Sequence, residues 1–260
     1  MRFIEKVKSF KQGNQELILG SWINTVSPVV TEIMSNAGFD FLCVDAEHSA
    51  VDYGTTLQLF QAMKAGNPDC APLVRMQGNS YDNTKRYLDA GAIGVIAPLI
   101  NSKVEAEYLV QSVKYPPNGR RGVGFGRSHD YGFNFDNYMQ FTKENIFIAV
   151  QIEHIEGVKN IDEITNVKGI DAVFVGPYDL SASMGITAQF KHPDYLKALD
   201  IINKICSEKR ILSGIHVVQP NPEEVIEKHQ KGYNLIAYSL DITIIGANCR
   251  NAINQIKNAL

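Results

Sequence analysis

Short apolar runs alternate with longer amphipathic stretches along the whole chain. Apolar runs of this kind are typical of strands that are buried on both faces of a parallel sheet, and the stretches between them have the spacing of helices. The predicted strands are 17–20, 41–44, 73–74, 94–97, 146–152, 172–175, 212–217 and 235–238. The predicted helices are 29–37, 53–65, 81–90, 103–114, 158–164, 195–208, 222–231 and 244–257.

Glycine stands between several predicted helices and the strands that follow them, as in NAGFDF, DAGAIG and QKGYNL. Glycine in this position is a common signal for the end of a helix. Eight strands and eight helices in alternation within about 250 residues predict an α/β fold, the (β/α)8 TIM barrel. Because the chain contains no linker or low-complexity segment, we expect residues 1–260 to form a single domain. A doubly wound open sheet is the alternative, but no GxGxxG motif follows the first strand.

The composition is that of an ordinary globular protein, with 45% apolar and 20% charged residues. The net charge of −3 argues against nucleic acid or a membrane surface as a partner, because both attract proteins with a basic excess. No apolar run reaches the ~20 residues of a membrane span, and the N-terminus lacks the features of a signal peptide. The four cysteines form no CxxC motif, so we expect free thiols and a cytoplasmic protein.

Two acidic residues follow neighbouring strands of the predicted barrel. Glu153 ends the run 146–152, and Asp179 comes after the run 172–175 and a Gly-Pro turn. Because the carboxyl ends of barrel strands meet at one mouth, both carboxylates would point into the same space. Oxygen ligands of this kind suit a hard divalent cation. The alternative, on the residues alone, is that both acids cap the helices that follow them.

Most of the other predicted strands also end in a polar or otherwise distinctive residue at this mouth. Histidine is a common general acid or base, so His48 is a candidate for that role, or it is a histidine bonded to its neighbours. Arg75 could bind a carboxylate or steady an enolate oxygen, or it forms a salt bridge with Asp45 or Glu47. The full set at these strand ends is Ser21, Trp22, Asp45, Glu47, His48, Arg75, Pro98, His216, Ser239 and Asp241.

Two further segments carry candidate binding groups. The Gly-Pro-Tyr sequence at 176–178 leads into a helix whose free amides could bind a substrate carboxylate. The connection 115–145 is long, and connections of this length are usually lids or binding loops. Its arginines, Arg121 and Arg127, either bind the far end of an acidic substrate or are solvated charges.

Seven motifs along the chain resemble those of a known enzyme family. They are GSW at 20–22, AGFDFLCVDAEHS at 37–49, LVR at 73–75, LDAG at 88–91, YPPNGRRGVG at 115–124, VQIE at 150–153 and GIDAVFVGPYDLSASMG at 169–185. The chain resembles the metal-dependent class II pyruvate aldolases of the phosphoenolpyruvate/pyruvate barrel superfamily. These enzymes cleave 4-hydroxy-2-oxoheptanedioate and 2-keto-3-deoxy sugar acids such as 2-dehydro-3-deoxyglucarate. Because the motifs run through most of the chain in the family's order, the resemblance is specific.

The resemblance also implies a role for each of nine residues. Glu153 and Asp179 would bind Mg²⁺, Mn²⁺ or Co²⁺. Arg75 would steady the enolate oxygen, and His48 would assist proton transfer together with Asp89. The residues that hold the pyruvate unit would be Gln151, Gly176, Pro177 and Tyr178.

An oligomer is a further implication of the resemblance. Members of the family often form homo-oligomers, trimers or hexamers, in which the last helix is exchanged between subunits. Asp89 ends a predicted helix just before the next strand, at the face opposite the barrel mouth. It cannot easily reach His48 of its own subunit, so we expect any pairing of these two residues to cross a subunit interface.

The implied reaction is the reversible cleavage of a 4-hydroxy-2-keto acid to pyruvate and an aldehyde through a metal-bound pyruvate enolate. The partners would be the small-molecule keto acid and aldehyde. No lysine ends a strand in a motif that suggests a Schiff base, which disfavours an imine mechanism. The alternatives are oxaloacetate decarboxylation or acyl-CoA lyase action at the same site, and a non-catalytic metal-binding barrel. The chain departs from the family at GFGRSHDYG and at Ser239, where many relatives have glycine, and these departures concern the aldehyde more than the reaction.

Overall fold

The strands form a closed barrel in the computed structural model, which describes residues 2–260. They are β1 (Ile18–Ile23), β2 (Phe41–Asp45), β3 (Ala71–Arg75), β4 (Gly94–Ala97), β5 (Phe147–Ile152), β6 (Ala172–Val175), β7 (Leu212–Val217) and β8 (Leu235–Leu240). All are parallel, each pairs with the next along the chain, and β8 pairs with β1. The predicted (β/α)8 barrel is therefore confirmed.

Helices connect the strands along the outside of the barrel. They are α1 (Arg2–Lys11), α2 (Pro28–Asn36), α3 (Tyr53–Gly66), α4 (Tyr81–Asp89), α5 (Lys103–Val113), α6 (Phe135–Asn145), α7 (Ile155–Lys159), α8 (Ile161–Thr165), α9 (Pro177–Ser183), α10 (Pro193–Lys209), α11 (Pro222–Gln230) and α12 (Asp241–Ala259). Side chains such as Ser27 and Asp52 cap their starts by accepting a hydrogen bond from a backbone N–H group. The predicted glycine signals after α2, α4 and α11 are also present, each with positive φ.

The first helix, α1, closes the amino-terminal end of the barrel. Its apolar face is buried and includes Phe3. The ring of Phe3 contacts Phe41 of β2 and Phe147 of β5 edge to face, at centroid distances of 5.8 and 5.1 Å. Aromatic pairs in this geometry add to the stability that comes from burying their area. We did not predict α1, although its apolar residues have helical spacing, because the predicted helices were sought only after the first strand.

The long connection between α5 and β5 lies at the amino-terminal end of the barrel and is partly helical. It contains a 3₁₀ segment (Arg127–Gly132) and then α6. A connection from the end of a helix to the start of the next strand lies at the end of the barrel opposite its mouth. The prediction of a lid or binding loop was therefore wrong for the mouth of this chain's own barrel.

The two arginines of this connection form structural contacts. Arg121 is buried, and its Nη2 donates to Oδ1 of Asp89 at 2.7 Å. Arg127 donates to the backbone oxygens of Ala90 at 3.3 Å and Phe60 at 3.4 Å. Neither side chain lines the cavity at the mouth of this barrel. Arg121 is not a solvated charge, and Arg127 is partly buried. Binding of an acidic substrate by these arginines in a neighbouring subunit stays a prediction.

Three simpler observations complete the fold. The predicted helix 158–164 is divided into α7 and α8 at Asn160. All four cysteines are free, as predicted, and three of them are buried. No helix within residues 2–260 is long and apolar enough to span a membrane.

Candidate active site

A cavity of ≈ 230 Å³ opens between the carboxyl ends of the strands. Seven predicted site residues line it: His48, Arg75, Gln151, Gly176, Pro177, Tyr178 and Asp179. The rest of the lining is Trp22, Phe174, Val175, His216 and Val218. No lysine of the described chain lines this cavity, in agreement with the prediction that an imine mechanism is disfavoured.

Glu153 lies directly behind the wall of this cavity, at the end of β5. It is 3% exposed. Its Oε1 accepts a hydrogen bond from the backbone N–H of Leu99 at 2.8 Å, and its Oε2 accepts one from Nε2 of Gln151. The backbone of Leu99 has a φ of 54°, a left-handed conformation that is costly for a residue other than glycine and is often found at functional sites. These two bonds hold the carboxylate, and no Lys, Arg or His side chain within residues 2–260 forms an ion pair with it.

Gly176 allows the start of α9 to lie against Glu153. A Cβ atom built on Gly176 would be 2.7 Å from Oε2 of Glu153 and 2.8 Å from its Cβ, so a larger residue would push these two elements apart. Gly176 is the N-cap of α9 and Pro177 its first residue, which places Asp179 in the first turn rather than at the cap. The side chain of His154, not that of Glu153, caps α7. The alternative that the two acids are helix caps was therefore wrong.

The charges around Glu153 fit a divalent cation. Burial raises the pKa of Glu153 despite its two hydrogen bonds, and the neighbouring Asp179 acts in the same direction. Two carboxylates that oppose each other's charge in this way are well suited to share a cation. No group of three or more His, Cys, Asp or Glu side chains within the described chain is arranged to hold a metal ion. A cation held by Glu153 and Asp179 would have two carboxylate ligands and keep its other positions for water or substrate, as Mg²⁺ usually does.

Arg75, at the end of β3, forms the salt bridge that was one of its two predicted roles. Its Nε and Nη2 donate to the two carboxylate oxygens of Asp45 at 2.9 and 2.7 Å, and its Nε is 3.4 Å from Oε2 of Glu47. Its guanidinium carbon lies 4.6 Å from the ring centroid of Trp22. The third nitrogen, Nη1, has no hydrogen-bond partner within residues 2–260, so the salt bridge leaves one nitrogen for a ligand in the cavity.

His48 and Glu47 lie side by side at the rim of the cavity. The side chain of His48 is 61% exposed, and its Nε2 is 3.7 Å from Oε2 of Glu47. Burial raises the pKa of Glu47 to about 7, and the charges of Glu153, Asp45 and Asp179 oppose the influence of Arg75. In the protein without a bound cation, the pKa of Glu47 therefore lies in the range that suits a general acid or base.

Asp89 is not part of this cavity. It ends α4 at the opposite end of the barrel, where it pairs with Arg121, and its side chain is 27% exposed. Its position agrees with the expectation that it cannot easily reach His48 of its own subunit. A pairing of these residues across a subunit interface stays a prediction.

Comparison with known proteins identifies the family to which this chain belongs. Residues 19–245 match the family described as HpcH/HpaI aldolase/citrate lyase. A 5-keto-4-deoxy-D-glucarate aldolase of Escherichia coli is 39% identical over 94% of this chain and 93% of its own length. The chain belongs to the HpcH/HpaI aldolase/citrate lyase family. The family resemblance predicted from the motifs is confirmed.

Two further HpcH/HpaI relatives extend the comparison. A hydroxypyruvate/pyruvate aldolase of Roseobacter denitrificans is 33% identical over 92% of this chain and 91% of its own length. The crystal structure of a family protein from Burkholderia cenocepacia superposes with a TM-score of 0.91 at 28% identity, over 97% of this chain and 99% of that one. As a member of this family, the protein is an aldolase, an enzyme of the aldehyde-lyase class.

Three residues of this HpcH/HpaI site were not among the predicted site residues. Trp22, Glu47 and His216 were recognised only as strand-end residues. Trp22 and His216 line the cavity, and Glu47 borders it through Arg75 and His48. Their position at strand ends was the signal that could have identified them. The burial of Trp22 and the absence of hydrogen-bond partners for Trp22 Nε1 and Glu47 Oε2 within residues 2–260 are visible only in the structure.

Proposed function

We propose that the protein is a metal-dependent pyruvate aldolase that reversibly cleaves a 4-hydroxy-2-keto acid, such as a 2-keto-3-deoxy sugar acid, to pyruvate and an aldehyde. The observation that carries this proposal is the buried Glu153, which packs against Gly176 beside the first turn of α9, where Asp179 lies. The two curated relatives, named for the aldol chemistry of hydroxypyruvate/pyruvate and of a keto-deoxy sugar acid, support it.

Binding of the keto acid would combine a cation with groups of the chain. Glu153 and Asp179 would hold Mg²⁺, Mn²⁺ or Co²⁺, which when bound supplies a Lewis acid for the negative charge that develops on the keto oxygen. Gln151 has a buried Oε1 without a hydrogen-bond partner in the described chain and would orient the substrate or its water. Gly176, Pro177 and Tyr178 form the adjoining wall and would hold the pyruvate carboxylate.

Cleavage requires a base that accepts the proton of the C4 hydroxyl and a positively charged group beside the enolate oxygen. Breaking the C3–C4 bond leaves the electron pair on the pyruvate enolate, and Arg75 would donate from Nη1 to its oxygen. The bidentate bond to Asp45 fixes the guanidinium for this task. His48, which is exposed at the rim beside Glu47, would carry the proton between the substrate and water.

Assembly into a homo-oligomer, a trimer or hexamer, is part of the proposal. The last helix, α12, exposes four isoleucines, Ile242, Ile245, Ile253 and Ile256, each with 45–55% of its surface accessible. An apolar face of this size on one helix favours association with another subunit. Exchange of α12 between subunits would cover it, and a neighbouring subunit would bring its Asp89 to His48.

The test is the exchange of pyruvate methyl protons for deuterium, followed by NMR in D₂O. We expect exchange with Mg²⁺ or Mn²⁺, and its loss with EDTA or in Glu153→Ala. The matched control is Glu156→Ala, three residues away, whose carboxylate pairs with Lys159 at the surface. It should exchange pyruvate at the wild-type rate.

A second readout separates metal binding from catalysis. A cation that binds only the folded protein raises Tm, with about 2.7 kcal/mol of added stability at a concentration 100 times its Kd. We expect this increase in the wild type and in Glu156→Ala but not in Glu153→Ala. Absence of both exchange and thermal stabilisation with every divalent metal would refute the proposed function.

A further inference from the structure

His216 is a polar side chain of the cavity that the roles above do not use. It lies near the end of β7, and its ring centroid is 5.6 Å from that of Trp22. Its Nε2 is 3.2 Å from the backbone oxygen of Ser239. Because a carbonyl oxygen can only accept a hydrogen bond, the proton is on Nε2, which donates it to Ser239.

The other ring nitrogen of His216, Nδ1, therefore carries a lone pair. Burial lowers the pKa of His216 to about 4, so the ring is neutral near pH 7 and Nδ1 can only accept. Nδ1 has no hydrogen-bond partner within residues 2–260, and it is not among the polar atoms that are sealed from solvent. It is open to a donor inside the cavity.

Three of the side chains that line the first cavity together with His216 offer no acceptor for such a donor. They are Trp22, Phe174 and Val218. The indole of Trp22 can only donate, and the other two side chains are apolar. Nδ1 of His216 is therefore an acceptor for a hydroxyl group on this side of the first cavity. The adjoining cavity that His216 also lines has further acceptors on Tyr178, Gln219 and Glu224.

His216 also lies where the substrate would extend beyond its pyruvate unit. That unit is assigned to the ends of β5 and β6, and β7 is the next strand of the barrel. A second cavity of ≈ 200 Å³ shares Pro177, Tyr178, His216 and Val218 with the first. The ring of His216 thus lies between the proposed position of the pyruvate unit in the first cavity and the second cavity.

We infer that Nδ1 of His216 accepts a hydrogen bond from a hydroxyl group on the aldehyde portion of the substrate, so that the enzyme selects α-hydroxy aldehydes over aldehydes without that hydroxyl. This inference rests on the proposed aldolase function. A site built to pair with a hydroxyl discriminates against an analogue that lacks it, because the polar group of the site is then left unpaired.

The test compares two aldehydes in condensation with pyruvate. Glycolaldehyde carries the additional hydroxyl and acetaldehyde does not, and kcat/KM is referred to the free aldehyde. We expect the wild type to prefer glycolaldehyde by about tenfold or more. His216→Phe keeps a ring but has no acceptor, and its ratio should approach one. His216→Asn can place an amide oxygen near the position of Nδ1 and should retain part of the preference.

A matched control is His229→Phe on α11, a histidine whose Nδ1 is 3.1 Å from the backbone oxygen of Tyr233, outside the cavity. It should keep the wild-type ratio of kcat/KM. Pyruvate exchange, which involves no aldehyde, is measured on every variant and reports whether the variant is folded and forms the enolate.

Distinct outcomes separate the two proposals. A wild-type ratio near one, an unchanged ratio in His216→Phe, or an equal loss for both aldehydes would overturn the role of His216 and leave the aldolase function standing. An equal loss would mean that the residue acts on the C4 hydroxyl, which both products share. Failure of the wild type to exchange pyruvate protons with any divalent metal would instead refute the aldolase function, and the inference with it.

Discussion

Two buried arginine–aspartate pairs lie at opposite ends of the barrel and differ in their surroundings. At the amino-terminal end, Arg121 pairs with Asp89 at 2.7 Å, and the rest of its contacts are tyrosines. At the mouth, Arg75 pairs with Asp45 at the same distance, but Glu47 is also 3.4 Å away. The carboxylates of the mouth therefore outnumber its arginine.

The difference shows which property of a buried ion pair indicates function. A pair in which one aspartate balances one arginine is complete in charge without a ligand, as at the amino-terminal end, even though Nε of Arg121 has no hydrogen-bond partner within residues 2–260. The pair at the mouth is not complete in this sense, because Glu153 and Asp179 add negative charge without a basic partner of their own. On the proposed function, this excess of negative charge marks the end of the barrel that would bind a cation and a substrate.

Of the variants that test the difference between the two arginine pairs, Arg75→Lys should have the largest effect on activity. Lysine cannot form the bidentate bond to Asp45 and present a further nitrogen to the enolate, so pyruvate exchange should fall by about 10²–10³-fold. The control is Arg86→Lys, since Arg86 is exposed and also lies over an aromatic ring, that of Tyr53. It should exchange within about twofold of the wild-type rate. Exchange by Arg75→Lys within tenfold of the wild-type rate would contradict the role of the guanidinium.

The Arg121–Asp89 pair at the amino-terminal end should contribute more to the free energy of unfolding than to activity. Arg121→Met leaves the carboxylate of Asp89 without its partner, and we expect the free energy of unfolding to fall by about 3 kcal/mol in urea denaturation. Arg120→Met is the matched control. Arg120 is exposed and stacks on Tyr108 at 4.1 Å, so its loss should cost less than about 1 kcal/mol. Equal losses in the two variants would show that the buried pair contributes nothing beyond an aromatic contact.

The smallest effect concerns the pH dependence of stability. The pKa of Glu47 is raised in the folded protein to about 7, so the folded state holds its proton more tightly than the unfolded state. This contribution is fully present below the unfolded pKa of about 4.5 and is lost as the pH rises to about 7. Allowing for solvent at the half-buried carboxyl, Glu47→Gln should gain about 1 kcal/mol, or about 2 °C in Tm, over the wild type across that range.

This measurement is made with EDTA, because a bound cation would lower the pKa of Glu47. The control is Glu227→Gln, an exposed glutamate whose pKa is lowered by Lys231. It should not gain stability as the pH rises. Parallel Tm profiles for the wild type and Glu47→Gln would contradict the raised pKa of Glu47.

The strands and most of the connecting helices could be predicted from the sequence, because burial on both faces of a barrel strand leaves a continuous apolar run. Two regions are exceptions. The helix α1 has helical spacing of its apolar residues but precedes the first strand, outside the alternation that guided the prediction. The connection 115–145 folds through contacts such as the buried Arg121. Tertiary contacts of this kind leave no periodic pattern in the sequence.

The sequence could predict those residues of the site that lie at or just after the ends of strands. Seven predicted residues line one cavity because strand ends converge in a barrel. The sequence could not show that Gly176 touches Glu153, that Arg75 uses two nitrogens for Asp45, or that one nitrogen of His216 is left open. These features depend on distances of a few ångströms between elements that are far apart along the chain.

The helix that closes the amino-terminal end has a consequence for how the products of a catalytic cycle leave. With Phe3 packed against Phe41 and Phe147, no passage runs through the barrel at that end, and substrate and products must share the mouth. On the proposed chemistry, pyruvate and the aldehyde would both depart by this single route. Either product that stays in the mouth would then compete directly with the incoming keto acid.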